Sequence, residues 1–408
     1  MAKLLPELTI LGLMSGTSMD AIDGCVVRIQ IETEPLKLIH AEILSTASHD
    51  YPATLKSQLI DAVKQTQVDL KTLCMLEQAV GKCFGQLAEQ LCQDGQAEGY
   101  AVDAVASHGQ TIYHVPPQNG QNGFSLQIGP PDVIAAACQR PVIADFRNAD
   151  MALGGQGAPL VPFADQLLFQ HPKEGRLIHN LGGISNVTVL PPANTGDVFA
   201  FDTGPANALI DGLMGHHFQR NFDENSLIAR QGHVNTELLA QLIETPYLKQ
   251  PPPKSTGKEL FGQAFLERYF IHSDLSPEDQ VRTALAFTVD SIVESYQHFV
   301  LPQGSFQEVI FGGGGTKNAL LMQELSAKLA TMGLRVSTHQ DYGIPDQSKE
   351  ALAFAILGYA RLFDLPNTLA PCTGASKAVS GGAIWRKDLL SVHAATRIMS
   401  ARTASSSC

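Results

Sequence analysis

The sequence lacks several things that would each signal a class of protein. No apolar run approaches the roughly 20 residues that span a bilayer, and no basic segment leads into an apolar stretch at the start. Neither a membrane span nor a secretory signal is expected, which points to the cytoplasm. Basic residues never gather into a block, and 28 Lys and Arg against 40 Asp and Glu leave a net charge of −12. Such a surface repels phosphodiesters and anionic lipid, so nucleic acid and membranes are not expected partners. CxxC and HExxH patterns are absent. The seven cysteines (Cys25, Cys74, Cys83, Cys92, Cys138, Cys372 and Cys408) are scattered and odd in number. Cys74, Cys83 and Cys92 recur every nine residues, which on a helix turns successive members to opposite faces and excludes a shared metal. They read as reduced thiols serving as small hydrophobes. No GxxxxGK[ST] occurs, since Gly257-Lys258 lacks both the earlier glycine and the following hydroxyl, and GLMSG at Gly12 to Gly16 misses the GxSxG spacing.

What remains is a globular composition, 44% apolar and 17% charged, over 408 residues, enough for two or three domains. Its elements fall into two similar series. In the first, Leu8 to Met14, Cys25 to Ile31 and Leu36 to Leu44 read as strands, followed by helices over 53–66 and 68–91. Strands over 101–107, 125–128 and 142–144 follow, with a helix after Pro131. In the second, RLIHNL and NVTVL flank the turn Gly182-Gly183, and Val198 to Phe201 ends in Asp202. A helix follows from Asn207, a longer one from Ser276 to Val300, then the strand EVIFGGGG, a helix, the strand RVSTH and a helix over 349–363. Strands then helices, twice, predict two α/β domains of related design facing each other. Residues 392–408, rich in Ser, Ala and Arg, read as a frayed tail.

The chemistry-bearing residues sit in loops of this scheme. Gly16-Thr17-Ser18-Met19-Asp20-Ala21-Ile22-Asp23 joins glycine, hydroxyls and two acids at a hairpin tip. Its amides could meet phosphate oxygens while its carboxylates hold water around Mg²⁺, or it is simply a turn made of turn-forming residues. Asp202, in FDTGPAN, is either a rigidly held general base or a turn residue. Gly312, Gly313, Gly314 and Gly315 follow an apolar strand and suit a nucleotide or a close-packed turn, without the GxGxxG register. SHGQT (His108, Gln110, Thr111) and ADFR (Asp145, Arg147), leading into Gly154-Gly155-Gln156-Gly157, supply the planar donors and acceptors of a sugar surface. Alternatively, His108 is structural and Arg147 a surface ion pair. Glu350 is a first-turn acid or approaches a metal from its helix.

Taken in order, GLMSGTSMDAID, ASHGQTIYH, LQIG, ADFRNAD with GGQGAPLVP, NLGGISNVT, FDTGPAN and FGGGG resemble the signatures of anhydro-N-acetylmuramic acid kinases, over about residues 8–383. The resemblance implies two ribonuclease H-like domains of actin/hexokinase type with a ligand cleft between them. It places 1–172 with 371–390 in the first, 173–370 in the second, and leaves 391–408 as a flexible tail. It implies a cytoplasmic homodimer that uses ATP, Mg²⁺ and water to convert 1,6-anhydro-N-acetylmuramic acid into N-acetylmuramic acid 6-phosphate and ADP in cell-wall recycling. Asp202 becomes the catalytic base, and Gly16 to Asp23 the ATP phosphate loop. Gly182, Gly183 and Gly312 to Gly315 fall on the nucleotide side. His108, Gln110, Thr111, Gln127, Asp145, Arg147 and Gln156 face the sugar, with Asp20, Asp23 and Glu350 near Mg²⁺. Ala21 departs from the glycine usual in that loop. Three other readings compete: a sugar or carboxylate kinase acting on a free hydroxyl, a nucleotide-dependent binding protein of the same architecture, and a dinucleotide oxidoreductase resting on glycines alone.

Overall fold

The computed structural model describes residues 3–17, 19–65, 67–117 and 121–403. The chain divides into two compact units, Met1–Leu168 with Gln347–Cys408, and Phe169–Asp346. Among the described residues, twelve strands form two sheets.

In the first unit β1 (Leu8–Ser15), β2 (Ala21–Thr33) and β3 (Leu36–Asp50) are an antiparallel meander. β4 (Ala104–Val115) lies parallel to β1, with β5 (Phe124–Ile128) paired to its outer half. β6 (Val142–Ala144) lies parallel to β4. The second unit repeats the plan. β7 (Gly175–Leu181), β8 (Ile184–Leu190) and β9 (Phe199–Pro205) form the meander. β10 (Phe306–Gly312) is parallel to β7, and β11 (Arg335–Thr338) to β10. β12 (Ala383–Trp385) returns to the first sheet, antiparallel to β6. The shared order, third-second-first-fourth-fifth, is the ribonuclease H-like plan expected twice over, in α/β form.

Burial explains the strand chemistry. Central β1 is apolar on both faces because both are covered, whereas β3 alternates and keeps much of its length in water at the sheet edge. Helices start where the sequence offers caps: Asp69 accepts from the Thr72 amide at 3.0 Å before the helix Leu70–Ala97. Ser276 opens Pro277–Ser295 in the same way, with proline at its first turn. The six described cysteines are free thiols.

Two boundaries differ from expectation. The helix Lys349–Leu362 belongs to the first unit, not the second, because it packs on β1, β2 and β4. That approach needs Gly12, since a Cβ there would lie 1.8 Å from the Ala351 carbonyl oxygen. The frayed tail is also corrected: Val392–Thr403 is a helix that buries Ala394 and Ile398, while 404–408 lie outside the described residues.

Gly12→Ala should therefore lower the unfolding free energy by about 1–3 kcal/mol through overpacking. Chemical denaturation checks this, and an unchanged midpoint would contradict the close approach.

Candidate active site

The hairpin between β1 and β2 is held from beneath. Ser15 Oγ lies 2.9 Å from the Ala21 carbonyl and 2.8 Å from Gln110 Oε1, its one proton shared between them, while Gln110 Nε2 donates to the Gly16 carbonyl at 3.2 Å. Tyr51 adds a third contact to Gln110 Oε1. Gln110 is fully buried, so it positions the hairpin and does not face a sugar. In the turn the Met19 amide donates to the Gly16 carbonyl at 3.1 Å, with Met19 at φ 56° and its side chain buried. Ala21, Ile22 and Asp23 already belong to β2, and Ile22 is core. Thr17 is exposed at the tip, and Ser18 lies outside the described residues.

β4 runs through SHGQT where a loop was expected, and a register shift against β1 places a bulge at His108 and Gly109. A bulge re-aims side chains without ending the sheet. His108 Nδ1 lies 2.9 Å from the Gly109 carbonyl, which makes it the protonated nitrogen and leaves Nε2 to accept from Arg147 Nε and Nη2 at 3.2 and 2.8 Å. Burial first, and the Arg147 charge second, hold the imidazole well below its ordinary value. Arg147 is itself lowered to about 10 by burial, with Glu350 opposing, and its Nη1 donates to the Gly157 carbonyl at 2.7 Å. Asp150, fully buried, closes the chain by accepting from the Gly157 amide and the Thr373 hydroxyl. Arg147 is thus an inward scaffold, not a surface ion pair.

Beside this scaffold is an open pocket lined by His108, Gln127, Asp145, Ser125, Asn148 and Trp385, among others. Asp145 stands at φ 62°, a left-handed conformation uncommon for a non-glycine residue. Asn148 Nδ2 donates to it at 2.5 Å, and burial raises its pKa. The structure so gathers three of the seven proposed sugar residues. Thr111 lies behind Gln127 at 3.4 Å, and Gln156 has its amide tied to the Thr373 carbonyl, neither lining the pocket.

The three acids proposed for Mg²⁺ do not converge. Asp20 pairs with Lys56 at 2.7 Å on the outer side of the turn. Asp23 and Glu350 belong together: both are raised by burial, and the Asp23 charge adds to the rise of Glu350, against Lys349 and Arg147. Among the described residues no group of three or more His, Cys, Asp or Glu could hold a metal directly. An acid pair in which the Asp23 charge disfavours that of Glu350 suits a hydrated divalent cation held through its waters.

The second unit assembles the glycines. Gly312 pairs with Asn180 across β10 and β7, which brings Gly312 to Gly315 against the turn Gly182-Gly183. Gly313 has φ 87°, and a Cβ there would sit 2.6 Å from Asn180 Oδ1, so only glycine fits. Nothing would meet a side chain at Gly314, so that face is open. Asn207 Nδ2 donates to the Leu181 and Gly182 carbonyls at 3.2 and 2.8 Å and fixes the turn.

Asp202 lies within β9, which continues to Pro205, and a second bulge follows it at Thr203. It is half-buried. Oδ2 accepts from the Thr256 amide at 2.9 Å, and Oδ1 takes no hydrogen bond among the described residues. Burial raises its pKa to about 6, with the Thr256 bond opposing, then Glu259 raising and Lys254 lowering it. Asp211, on the helix Ala208–Phe218, is raised further, to about 7, by burial against Lys258. Sequence reasoning missed Asp211, Lys254, Thr256, Asp150 and Trp385; a lone tryptophan close to the C-terminus was the one local signal.

A ribonuclease H-like plan used twice, with a braced hydroxyl-bearing hairpin on one sheet, and paired glycine turns and a poised carboxylate on the other, defines the actin- and hexokinase-type class. Residues 8–387 match the anhydro-N-acetylmuramic acid kinase family. The anhydro-N-acetylmuramic acid kinase of Bacillus thuringiensis subsp. konkukian is 40% identical over 381 residues, covering 92% of this chain and 98% of that protein. The corresponding kinase of Bacillus cereus strain AH820 is likewise 40% identical over 381 residues, 92% and 98% of the two chains. Among solved structures, a ROK family glucokinase from Streptomyces griseus in complex with glucose and AMPPNP aligns with a TM-score of 0.35 and 13% identity, over 86% of this chain and 98% of that one. The chain belongs to the anhydro-N-acetylmuramic acid kinase family, and it is accordingly a kinase.

The buried neutral His108 has a thermodynamic signature. Its folded pKa is depressed, so the proton is taken up only on unfolding, and stability is lost as pH falls through the unfolded imidazole's value of about 6.5. His179, held at about 3 by burial, acts with the same sign. His108→Gln should therefore give a shallower, not flat, decline in denaturation midpoint between about pH 7 and 5. A slope equal to that of the unsubstituted protein would mean that His108 is already protonated in the fold.

Proposed function

We propose that the chain opens the 1,6-anhydro bridge of anhydro-N-acetylmuramic acid with water and transfers the γ-phosphoryl group of ATP to the freed O6, giving N-acetylmuramic acid 6-phosphate and ADP. The observation that carries this reading is Asp202: a carboxylate with one oxygen held by a backbone amide, the other unengaged, and a pKa lifted to about 6. A base so placed is ionised at neutral pH yet far more basic than an ordinary aspartate.

Asp202 takes a proton from water as the water oxygen bonds to C1. The C1–O6 bond breaks, and O6 carries its electron pair in line to the γ-phosphorus while the bond to ADP breaks. The Gly16–Asp20 turn, braced by Gln110, presents amides to the phosphates, and Gly182, Gly183 and Gly312 to Gly315 lie along the nucleotide. His108, Gln127 and Asp145 hold the sugar, the first kept neutral by burial and then by the Arg147 charge. Asp23 and Glu350 would hold Mg²⁺ through water, and that ion, when bound, neutralises charge developing on the transferred phosphoryl group. The enzyme works as a homodimer in the cytoplasm, where ATP is available, on sugars released during cell-wall recycling.

Asp202→Asn should lower kcat by about 10²–10⁴-fold while ATP still binds. Turnover close to that of the unsubstituted enzyme would remove Asp202 from the mechanism. In the unsubstituted enzyme kcat/KM should climb as pH rises through about 6, where the base ionises. Reaction in ¹⁸O-water should place the label at C1 of the product. Its absence there would favour a kinase acting on a free hydroxyl.

A further inference from the structure

Asp202 is enclosed by a segment more than 40 residues downstream in the chain, and the contacts form one device. Tyr247 Oη donates to the Asp202 carbonyl at 2.8 Å, the Asp202 amide donates to the Lys254 carbonyl at 3.2 Å, and the Thr256 amide donates to Oδ2 at 2.9 Å. Residues 247–256 therefore grip Asp202 through its backbone on both sides and through one carboxylate oxygen. Something must hold this segment in turn, because PPPKSTG has no helix or strand of its own.

The holding point is Lys254. Its ammonium is buried, donates to the Tyr247 and Leu248 carbonyls at 3.3 and 3.0 Å, and lies over three rings: Phe299 at 4.6 Å, Tyr247 at 4.9 Å and Phe201 at 5.8 Å. Phe201 is the residue before Asp202. An ammonium in an aromatic cage draws its attraction from the ring faces while the carbonyls satisfy its protons. The charge also reaches Asp202.

We propose that residues 247–256 are a strap that positions Asp202 as the base, and that the caged ammonium of Lys254 is its anchor. Lys254 is a positioning residue: it touches neither substrate nor reacting atom in this scheme, and it rests on the reading of Asp202 as the base. Two consequences separate it from mere structural support. The anchor orients the unengaged oxygen, so its loss acts on kcat. Its positive charge favours ionised Asp202, against Glu259, so its loss makes the carboxyl harder to ionise. Tyr247, the other titratable group facing Asp202, stays protonated because burial raises it. Lys254 itself is lowered to about 8 by burial, with Asp202 opposing, so the anchor is charged at neutral pH.

The test compares Lys254→Met, Lys254→Arg and Tyr247→Phe with the unsubstituted protein, following carboxyl ionisation by carbon-13 NMR, with the Asp202 signal assigned by its disappearance in Asp202→Asn. Lys254→Met should titrate at higher pH than the unsubstituted protein, with kcat lower by about 10-fold to 100-fold and KM for ATP unchanged. Lys254→Arg, which keeps a cation in the cage, should return the titration and most of kcat. Tyr247→Phe, which keeps the ring and removes one grip, should lower kcat and leave the titration in place. An Asp202 titration unmoved in Lys254→Met overturns the proposal, as does a kcat unmoved in Tyr247→Phe. If Lys254→Met does not fold, the other two variants decide: failure of Lys254→Arg to match the unsubstituted titration is then the contrary result. Because the titration needs no turnover, a protein that fails to phosphorylate the anhydro sugar would refute the proposed function and leave the strap to be judged by NMR.

Discussion

A carboxylate can remove a proton from water near neutral pH only if its surroundings resist its charge without extinguishing it. At Asp202 that balance is struck between burial, which raises the pKa, and the Thr256 amide with the Lys254 charge, which lower it. The bulge at Thr203 turns the strand beside it, and Thr203 Oγ1 lies 2.7 Å from Ser185 Oγ, which in turn lies 2.6 Å from His179 Nε2. Were the carboxylate fully solvated it would be a weak base, and were it sealed in the core it would never ionise.

The first unit handles the opposite demand, keeping a cation and an imidazole together without repulsion. Arg147 stays charged, and His108 stays neutral because burial, and then the Arg147 charge, disfavour a second proton on its ring. The order runs outward from buried Asp150 through Gly157 to Arg147, His108 and the pocket. Each step satisfies a polar group that would otherwise be costly to bury. Rigidity at the pocket is therefore inherited from groups that no ligand would touch.

What could be read from the sequence was local. Glycine turns after apolar strands, Asp202 at a strand and Glu350 in a first turn are features of consecutive residues, and the repeated strand-helix order exposed the duplication. What could not be read depends on distant pairing. Arg147 meets His108 across 39 positions and Thr256 meets Asp202 across 54, and neither distance leaves a periodic trace. The neighbours of Gln110 suggest a sugar residue, yet a shift in strand register turns it beneath the hairpin. The final helix was hidden by its composition: Ser, Ala and Arg suggest a loose end unless burial of Ala394 and Ile398 is known. Chain order alone puts Lys349–Leu362 with the second unit, since helical periodicity does not say which sheet a helix will cover.

The contact at Gly12 has an evolutionary corollary. A missing side chain on the central strand lets the helix that bears Glu350 lie directly on the sheet, where a Cβ would collide with Ala351 and crowd the Ala355 amide at 2.8 Å. The placement of an acid is thus leased from an atom that is not there. Any lineage that enlarges position 12 must displace the whole helix, and with it the partner of Asp23, so drift at these sites has to be concerted and their substitutions non-additive.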